Sequence, residues 1–167
     1  SFLLHDMRPE ILWALARAFH DLELWSQAFE AFEKAEALKL KETRKNARPY
    51  DLTEEHWAQL KAKIFVELFA LRPERYEEIE ELIKKLNQEN PYTQRLWLRY
   101  WEVTRRQTPD TLVEHYSKIN QKEVLNRDEV LLYSKALKKK EMSQERLEVL
   151  EKYVGAWFRE SPRTRSV

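Results

Sequence analysis

Cysteine is absent from the sequence and glycine occurs only once, and each shortage excludes a class of structure. Without cysteine, neither a disulfide bond nor a thiolate metal site can form. A single glycine in 167 residues argues against a strand-rich fold, because hairpins and sandwiches rely on glycine in their tight turns. It also excludes a glycine-rich loop that binds phosphate. The single glycine and the six prolines instead indicate helices joined by short connections.

Long apolar runs and an excess of one charge are also missing. No segment contains the run of about 18 apolar residues that crosses a bilayer, and the first residues become charged too early for a signal peptide. The 30 Lys and Arg are balanced by 29 Asp and Glu, which argues against bulk attraction to nucleic acid or anionic lipid. We therefore expect no membrane insertion and a cytoplasmic location, with the periplasm and the nucleus left open. Because the sequence starts at Ser1 without methionine, we also expect a piece of a longer protein.

What the chain does contain is a large apolar fraction arranged at helical spacing. Apolar residues make up 43% and aromatic residues 12%, which is too much for a disordered chain. Apolar positions recur three and four residues apart along most of the sequence, so we predict an all-α fold of about eight helices. These form four antiparallel pairs in a single domain over residues 1–167. The predicted pairs span about residues 9–41, 53–89, 91–119 and 127–160.

The clearest pattern lies between residues 12 and 40. Two apolar runs at helical spacing are separated by a few residues, and both contain small and aromatic side chains. We predict an antiparallel hairpin, because the small residues allow a close approach while the aromatic residues fill the seam. The residues that carry the pattern are Leu12, Leu15, Ala16, Phe19, Ala28, Phe32 and Ala35. Their spacing resembles the tetratricopeptide (TPR) repeat, with Leu12 where that family favours Trp and Glu23 near where its turn favours Gly.

Two further segments have a weaker resemblance to repeat families. Residues 76–91 repeat the spacing of the second half of a TPR, including its terminal proline. A segment of the fifth helix is similar to the half-a-TPR (HAT) variant of RNA-processing scaffolds. Its residues are Pro91, Leu96, Trp97, Tyr100 and Glu102. The resemblance to the TPR family implies a right-handed α-solenoid in which stacked helix pairs form a concave groove.

Residues that would support catalysis or metal binding are scattered rather than grouped. The four histidines, His5, His20, His56 and His115, are far apart, and no two are spaced for joint metal ligation on one helix. No Ser, Thr or Lys stands in a local motif typical of an activated nucleophile. We therefore predict a protein that is not an enzyme and that uses neither a metal ion nor a cofactor.

The resemblance to the TPR family also implies where a partner binds. In that family the first helix of each pair lines the groove, which selects three residues of the first helix. Helical phase alone adds three arginines of the fifth helix. The predicted partner-binding residues are Trp13, Arg17, His20, Arg95, Arg99 and Arg106. Cations at these positions favour a peptide or partner helix with acidic residues, so the predicted function is a scaffold for protein–protein interaction.

Two alternative functions stay open at this stage. A HAT-like scaffold would bind RNA through stacking aromatic side chains, although Trp97, Tyr100 and Trp101 are expected to be buried. The basic run at residues 138–140 ends the seventh helix, where cations complement the helix dipole without any nucleic acid. A structural subunit would instead associate, with itself or with other subunits, through the exposed ends of the solenoid.

The last helix carries two expectations about packing. Gly155 lies inside it, although glycine costs about 1 kcal/mol relative to alanine in a helix. We expect a close contact with another helix to be the reason. The predicted buried face of this helix consists of Leu147, Leu150, Val154, Trp157 and Phe158.

Overall fold

The computed structural model describes residues 8–43 and 52–160, and it is all-α over those ranges. Eight α-helices in the described part of the chain confirm the predicted fold class and helix number. They are α1 (Pro9–Asp21), α2 (Trp25–Thr43), α3 (Glu54–Leu68), α4 (Tyr76–Lys84), α5 (Pro91–Val103), α6 (Pro109–Lys122), α7 (Arg127–Lys139) and α8 (Ser143–Glu160). None of these helices combines the length and the apolar content needed to span a membrane. Between α2 and α3 the polar stretch that contains Pro49 predicts the longest connection of the chain, and its residues 44–51 lie outside the described ones.

Side-chain caps mark the starts of several helices. Asn90 and Asn126 accept hydrogen bonds from backbone N–H groups in the first turns of α5 and α7, as their sequence positions predict. Thr108 caps α6 in the same way. Thr53 caps α3, and the Nδ1 atom of His56 accepts the backbone N–H of Thr53 at 3.0 Å in return. These reciprocal bonds satisfy donors that the start of a helix otherwise leaves unpaired.

Three of the turns within helix pairs share one backbone geometry. Glu23 after α1, Arg105 after α5 and Glu141 after α7 have φ values of 61°, 58° and 57°. In each turn the next residue donates its N–H to the carbonyl five positions earlier, which is the Schellman arrangement at a helix C-terminus. Glycine is favoured at such a position, because a side chain makes the left-handed backbone unfavourable by about 1–2 kcal/mol. The chain uses charged residues there instead, so the turns recur without the usual sequence signal.

Residues 1–88 form one compact unit, called unit 1, which contains α1 to α4. Within it α1 packs against α2, α2 against α3 and α3 against α4, and α1 also contacts α3. The seam predicted for the first pair is present, since Leu12, Ala16 and Phe32 are buried in one cluster. Trp57 and Ile64 of α3 complete this cluster. The hairpin therefore does not close its core alone, and the next helix covers it.

Residues 89–167 form the second compact unit, called unit 2, in which α5 packs against α6, α6 against α7 and α7 against α8. Leu98, Ile119 and Leu137 are buried in its core. The hydroxyl of Tyr153 on α8 accepts the backbone N–H of Leu125 at 3.2 Å. Packing between neighbours in sequence is typical of helical-repeat proteins.

The buried face predicted for α8 is wrong for four of its five residues, and the exception is Trp157, which packs partly buried against the core of unit 2. The face that enters the core also carries Val149 and Tyr153, whereas Leu147 and Phe158 are 51% and 57% exposed. Leu150 and Val154 are only partly buried. Both stripes have helical spacing, and packing against α7 selects the one with Val149 and Tyr153.

The expected close helix contact at Gly155 is also absent. A Cβ atom built on Gly155 would find its nearest neighbour outside its own helical turn at 4.0 Å, the Nη1 atom of Arg159. That distance is ordinary van der Waals contact with the end of a flexible side chain. No packing constraint within the described residues therefore requires glycine at this position.

Candidate functional site

One face of α1 carries three of the predicted partner-binding residues. Leu12 and Ala16 point into the core of unit 1, so Trp13 and Arg17, each one position later, lie on the neighbouring face. Trp13 is half-buried and Arg17 is exposed. The guanidinium carbon of Arg17 lies 5.9 Å from the centroid of the Trp13 ring, within the range of a cation–π contact. Together with His20 these residues form what we call the α1 face.

His20 lies at the buried end of the α1 face. Its ring centroid is 4.9 Å from that of Trp25, the first residue of α2. Burial lowers the pKa of His20 below its ordinary value of 6.5, and the positive charge of Lys63 on α3 lowers it further. The carboxylates of Glu67 and Asp21 act in the opposite direction without cancelling the effect. The imidazole is therefore neutral at physiological pH.

Polar atoms on and beside the α1 face are buried without hydrogen-bond partners among the described residues. They are the indole N–H of Trp13, both ring nitrogens of His20 and the Oε2 atom of Glu10. The closest approach to His20 is made by Asp21 Oδ1, which lies 3.8 Å from Nδ1 and is too distant for a hydrogen bond. A buried polar group without a partner costs about 1–3 kcal/mol, and such groups are uncommon in native structures. These atoms are covered by the chain, so a partner at the surface would meet Arg17 and the exposed part of the Trp13 ring rather than these atoms.

Lys63 is a residue of this neighbourhood that the sequence did not indicate. It lies on α3, which contacts α1, and its side chain is half-buried. Its ammonium adds a positive charge near His20. In the sequence, Lys63 stands on the polar side of a largely apolar helix. That position does not reveal which other helix packs near it.

The α5 arginines lie in unit 2 and are engaged within the chain. Arg95 donates from Nε to Glu129 at 2.9 Å and also forms an ion pair with Glu123. The hydrogen bond to Glu129 raises the pKa of Arg95, and burial only partly offsets it. Burial alone would raise the pKa of Glu129, but hydrogen bonds from Arg95 and the backbone of Asn126 lower it overall. Arg95 thus links α5 to α7 and to the end of α6.

The other two arginines also have neighbours within unit 2. Arg106, which the sequence places on the fifth helix, lies in the turn after α5. Arg99 pairs with Glu102 at 3.2 Å. Arg106 donates to the hydroxyl of Tyr100 at 3.0 Å, and its guanidinium carbon lies 5.1 Å from the Trp101 ring centroid. A carboxylate from a partner would compete with these internal contacts. The α1 face offers Arg17 without that competition, since its only neighbour of this kind among the described residues is the Trp13 ring.

The aromatic residues of the HAT-like segment are mainly part of a packed cluster. Trp97 and Tyr100 are buried, which confirms the expectation that they belong to the core, whereas Trp101 is partly exposed. The rings of Trp101 and His115 both stack on Trp97 with centroid distances of 5.9 Å. His115 Nδ1 lies 2.7 Å from Gln94 Oε1, and His115 Nε2 accepts the Trp101 indole N–H at 3.2 Å. Rings occupied in this way are not available as a platform for bases.

Within residues 8–43 and 52–160, no group of three or more His, Asp and Glu side chains is arranged to hold a metal ion. Comparison of the chain with protein-family models, with curated proteins and with solved structures gave no match.

Proposed function

We propose that the chain is a non-catalytic, TPR-like scaffold that binds a peptide or helix of a partner protein on the α1 face. The observation that carries the proposal is the exposed Arg17 beside the half-buried Trp13 ring, on a face that also carries His20. In this proposal the helix pairs stack as a right-handed solenoid. The first helices of the pairs then line its groove.

Two cations on and near the α1 face would attract an acidic partner segment, and they would do so against the carboxylates of Glu10, Asp21 and Glu67. Arg17 is exposed, and Lys63 approaches from α3. A carboxylate would accept charge-assisted hydrogen bonds from these cations, which are about twice as strong as neutral ones. The half-buried indole of Trp13 supplies apolar contact area beside Arg17. A tryptophan beside an arginine is a common composition of a binding hot spot.

The test compares capture of partners by matched variants of the chain. Trp13→Ala combined with Arg17→Glu should abolish capture of the native partner from lysate, with the melting temperature within a few degrees of the parent. Arg72→Glu is the control, because it makes the same charge change at an exposed position of unit 1 that is not on α1 but in the connection between α3 and α4. The single variant Arg17→Glu, at an exposed side chain, guards against misfolding of the double variant. Retained capture by both α1 variants would refute the proposal.

A second candidate function, assembly into larger structures, is favoured by the apolar stripe on α8. Leu147 is 51% exposed, and Leu150 and Val154 are partly buried along the same side of the helix. An apolar stripe of this kind is typical of an interface between subunits or repeats. Light scattering would then show a mass above that of one chain, and Leu147→Glu would restore the monomer. A monomeric parent at high micromolar concentration would count against assembly.

A further inference from the structure

A small cleft opens between the start of α6 and the outer side of α7, entirely within unit 2. Its volume is about 180 Å³. Its floor is aliphatic and two lysines stand at its rim. The lining residues that matter here are Pro109, Leu112, Leu132, Lys135, Ala136 and Lys139. We call this site the α6–α7 cleft.

The outer side of α7 presents the cleft because the opposite side builds the core. Val130 and Leu137 are buried in unit 2, which turns Leu132, Lys135 and Lys139 outward at helical spacing. Leu132 is 43% exposed although it is a large apolar side chain. Its exposed surface would gain from being covered by another apolar group.

The charges at the rim are not neutralised within the described residues. Neither Lys135 nor Lys139 forms an ion pair or hydrogen bond there. The adjacent Lys140 differs, because its ammonium pairs with Asp110 at 2.6 Å. The cleft therefore combines an aliphatic floor with two available positive charges.

We propose that the α6–α7 cleft is a second docking site, which takes a large apolar side chain from an acidic segment of a partner protein. The volume is below the roughly 300 Å³ at which small-molecule pockets begin, so it suits one side chain rather than a whole small ligand. The two lysines match acidic residues on either side of that side chain. The lining contains no aromatic ring for base stacking, so a protein segment fits better than a single-stranded nucleic acid. The cleft shares no residue with the α1 face, so this proposal is independent of whether the α1 face binds a partner.

The experiment measures binding of a fluorescein-labelled peptide by anisotropy with the full chain. The peptide contains two adjacent leucines flanked on both sides by Glu and Asp, and a second peptide has serines in place of the leucines. Leu132→Ala should weaken binding of the leucine peptide about tenfold, since it removes an apolar contact. Leu131→Ala is its control, because Leu131 is the neighbouring leucine, is 60% exposed and does not line the cleft. Lys139→Glu should likewise weaken binding more than Lys138→Glu, which makes the same charge change one residue outside the lining.

Five results would overturn the proposal. The first four are absence of measurable binding by the parent chain, equal binding of the leucine and serine peptides, equal effects within each variant pair, and displacement of the peptide by a uridine 20-mer that binds more tightly. The double variant of Trp13 and Arg17 should bind the peptide as the parent does. A loss in that variant would place the peptide on the α1 face and would also overturn the cleft proposal.

Discussion

Acidification below pH 6.5 should destabilise unit 2 through His115. This side chain is 5% exposed, and its two ring nitrogens are both used in hydrogen bonds. Because Nε2 accepts from the Trp101 indole, Nδ1 carries the proton and donates to Gln94 Oε1 at 2.7 Å. A second proton would have to enter at Nε2, where it would face the indole N–H donor. The neutral ring is therefore the form that the packing accepts.

The size of the effect follows from the pKa. Burial lowers the pKa of His115 to about 4, with Glu114 opposing the effect and Lys118 adding to it. In the unfolded chain the pKa is near 6.5, so between pH 6.5 and 4 the unfolded state binds more protons than the folded state. Above pH 6.5 the ring is neutral in both states, and the stability that depends on it is fully present. As the pH falls from 6.5 to 4, the unfolded state takes up the proton and the folded state does not, so this stability is lost progressively. At about 1.4 kcal/mol per pH unit, the total loss is about 3 kcal/mol.

Two measurements test this prediction. An NMR titration of the imidazole resonances should give a pKa for His115 near 4. Urea denaturation of the parent and of His115→Gln should be repeated from pH 7.5 to pH 4. The unfolding free energy of the parent minus that of the variant should fall by about 3 kcal/mol over this range, since the glutamine does not titrate. Carboxylates and the other histidines cancel in that difference. An NMR pKa near 6.5, or a difference that stays constant with pH, would refute the proposed burial and hydrogen bonding of His115.

Three further predictions concern stability and can be checked by thermal and urea denaturation. Phe32→Ala should lower the free energy of unfolding by about 3–5 kcal/mol, because Phe32 is 2% exposed in the core of unit 1. Arg17→Ala should change that free energy little. If Arg17→Ala were the more destabilising of the two, the helical phase of α1 would be wrong. Glu141→Gly should stabilise the chain by about 1 kcal/mol by relieving the left-handed turn after α7, and a loss of stability would show that the turn is not strained. Gly155→Ala should stabilise α8 by up to about 1 kcal/mol, and a marked loss would reveal a contact that the structure lacks.

The sequence predicts the helices well because the local signals for them are strong. Caps such as Asn90 and Asn126 and the regular apolar spacing determine helix starts within the chain itself. The turns are harder to predict, because Glu23 and Glu141 adopt a left-handed backbone that is usually recognised in a sequence by glycine. The face of α8 was mispredicted because two apolar stripes compete on one helix. Only contact with α7 chooses between them.

The sequence predicts only the part of the candidate site that lies on one helix. Trp13, Arg17 and His20 lie on one helix, so their shared face follows from helical geometry alone. Lys63 is remote in sequence, and only the packing of α3 on α1 brings it near His20. The internal partners of Arg95 are equally remote, so helical phase identified its position without revealing that Glu129 engages it.

Photo-cross-linking from the α1 face tests the central proposal most directly. Ala14 is exposed and lies one turn before Arg17, at the edge of the α1 face, so benzoylphenylalanine in place of Ala14 would reach a bound partner without replacing a binding residue. Irradiation in lysate followed by mass spectrometry identifies the attached segment. The proposal predicts attachment to a protein segment rich in Asp and Glu, and loss of that product when Arg17→Glu is added. Attachment to RNA or to a basic segment, or an acidic product that persists with Arg17→Glu, would contradict it.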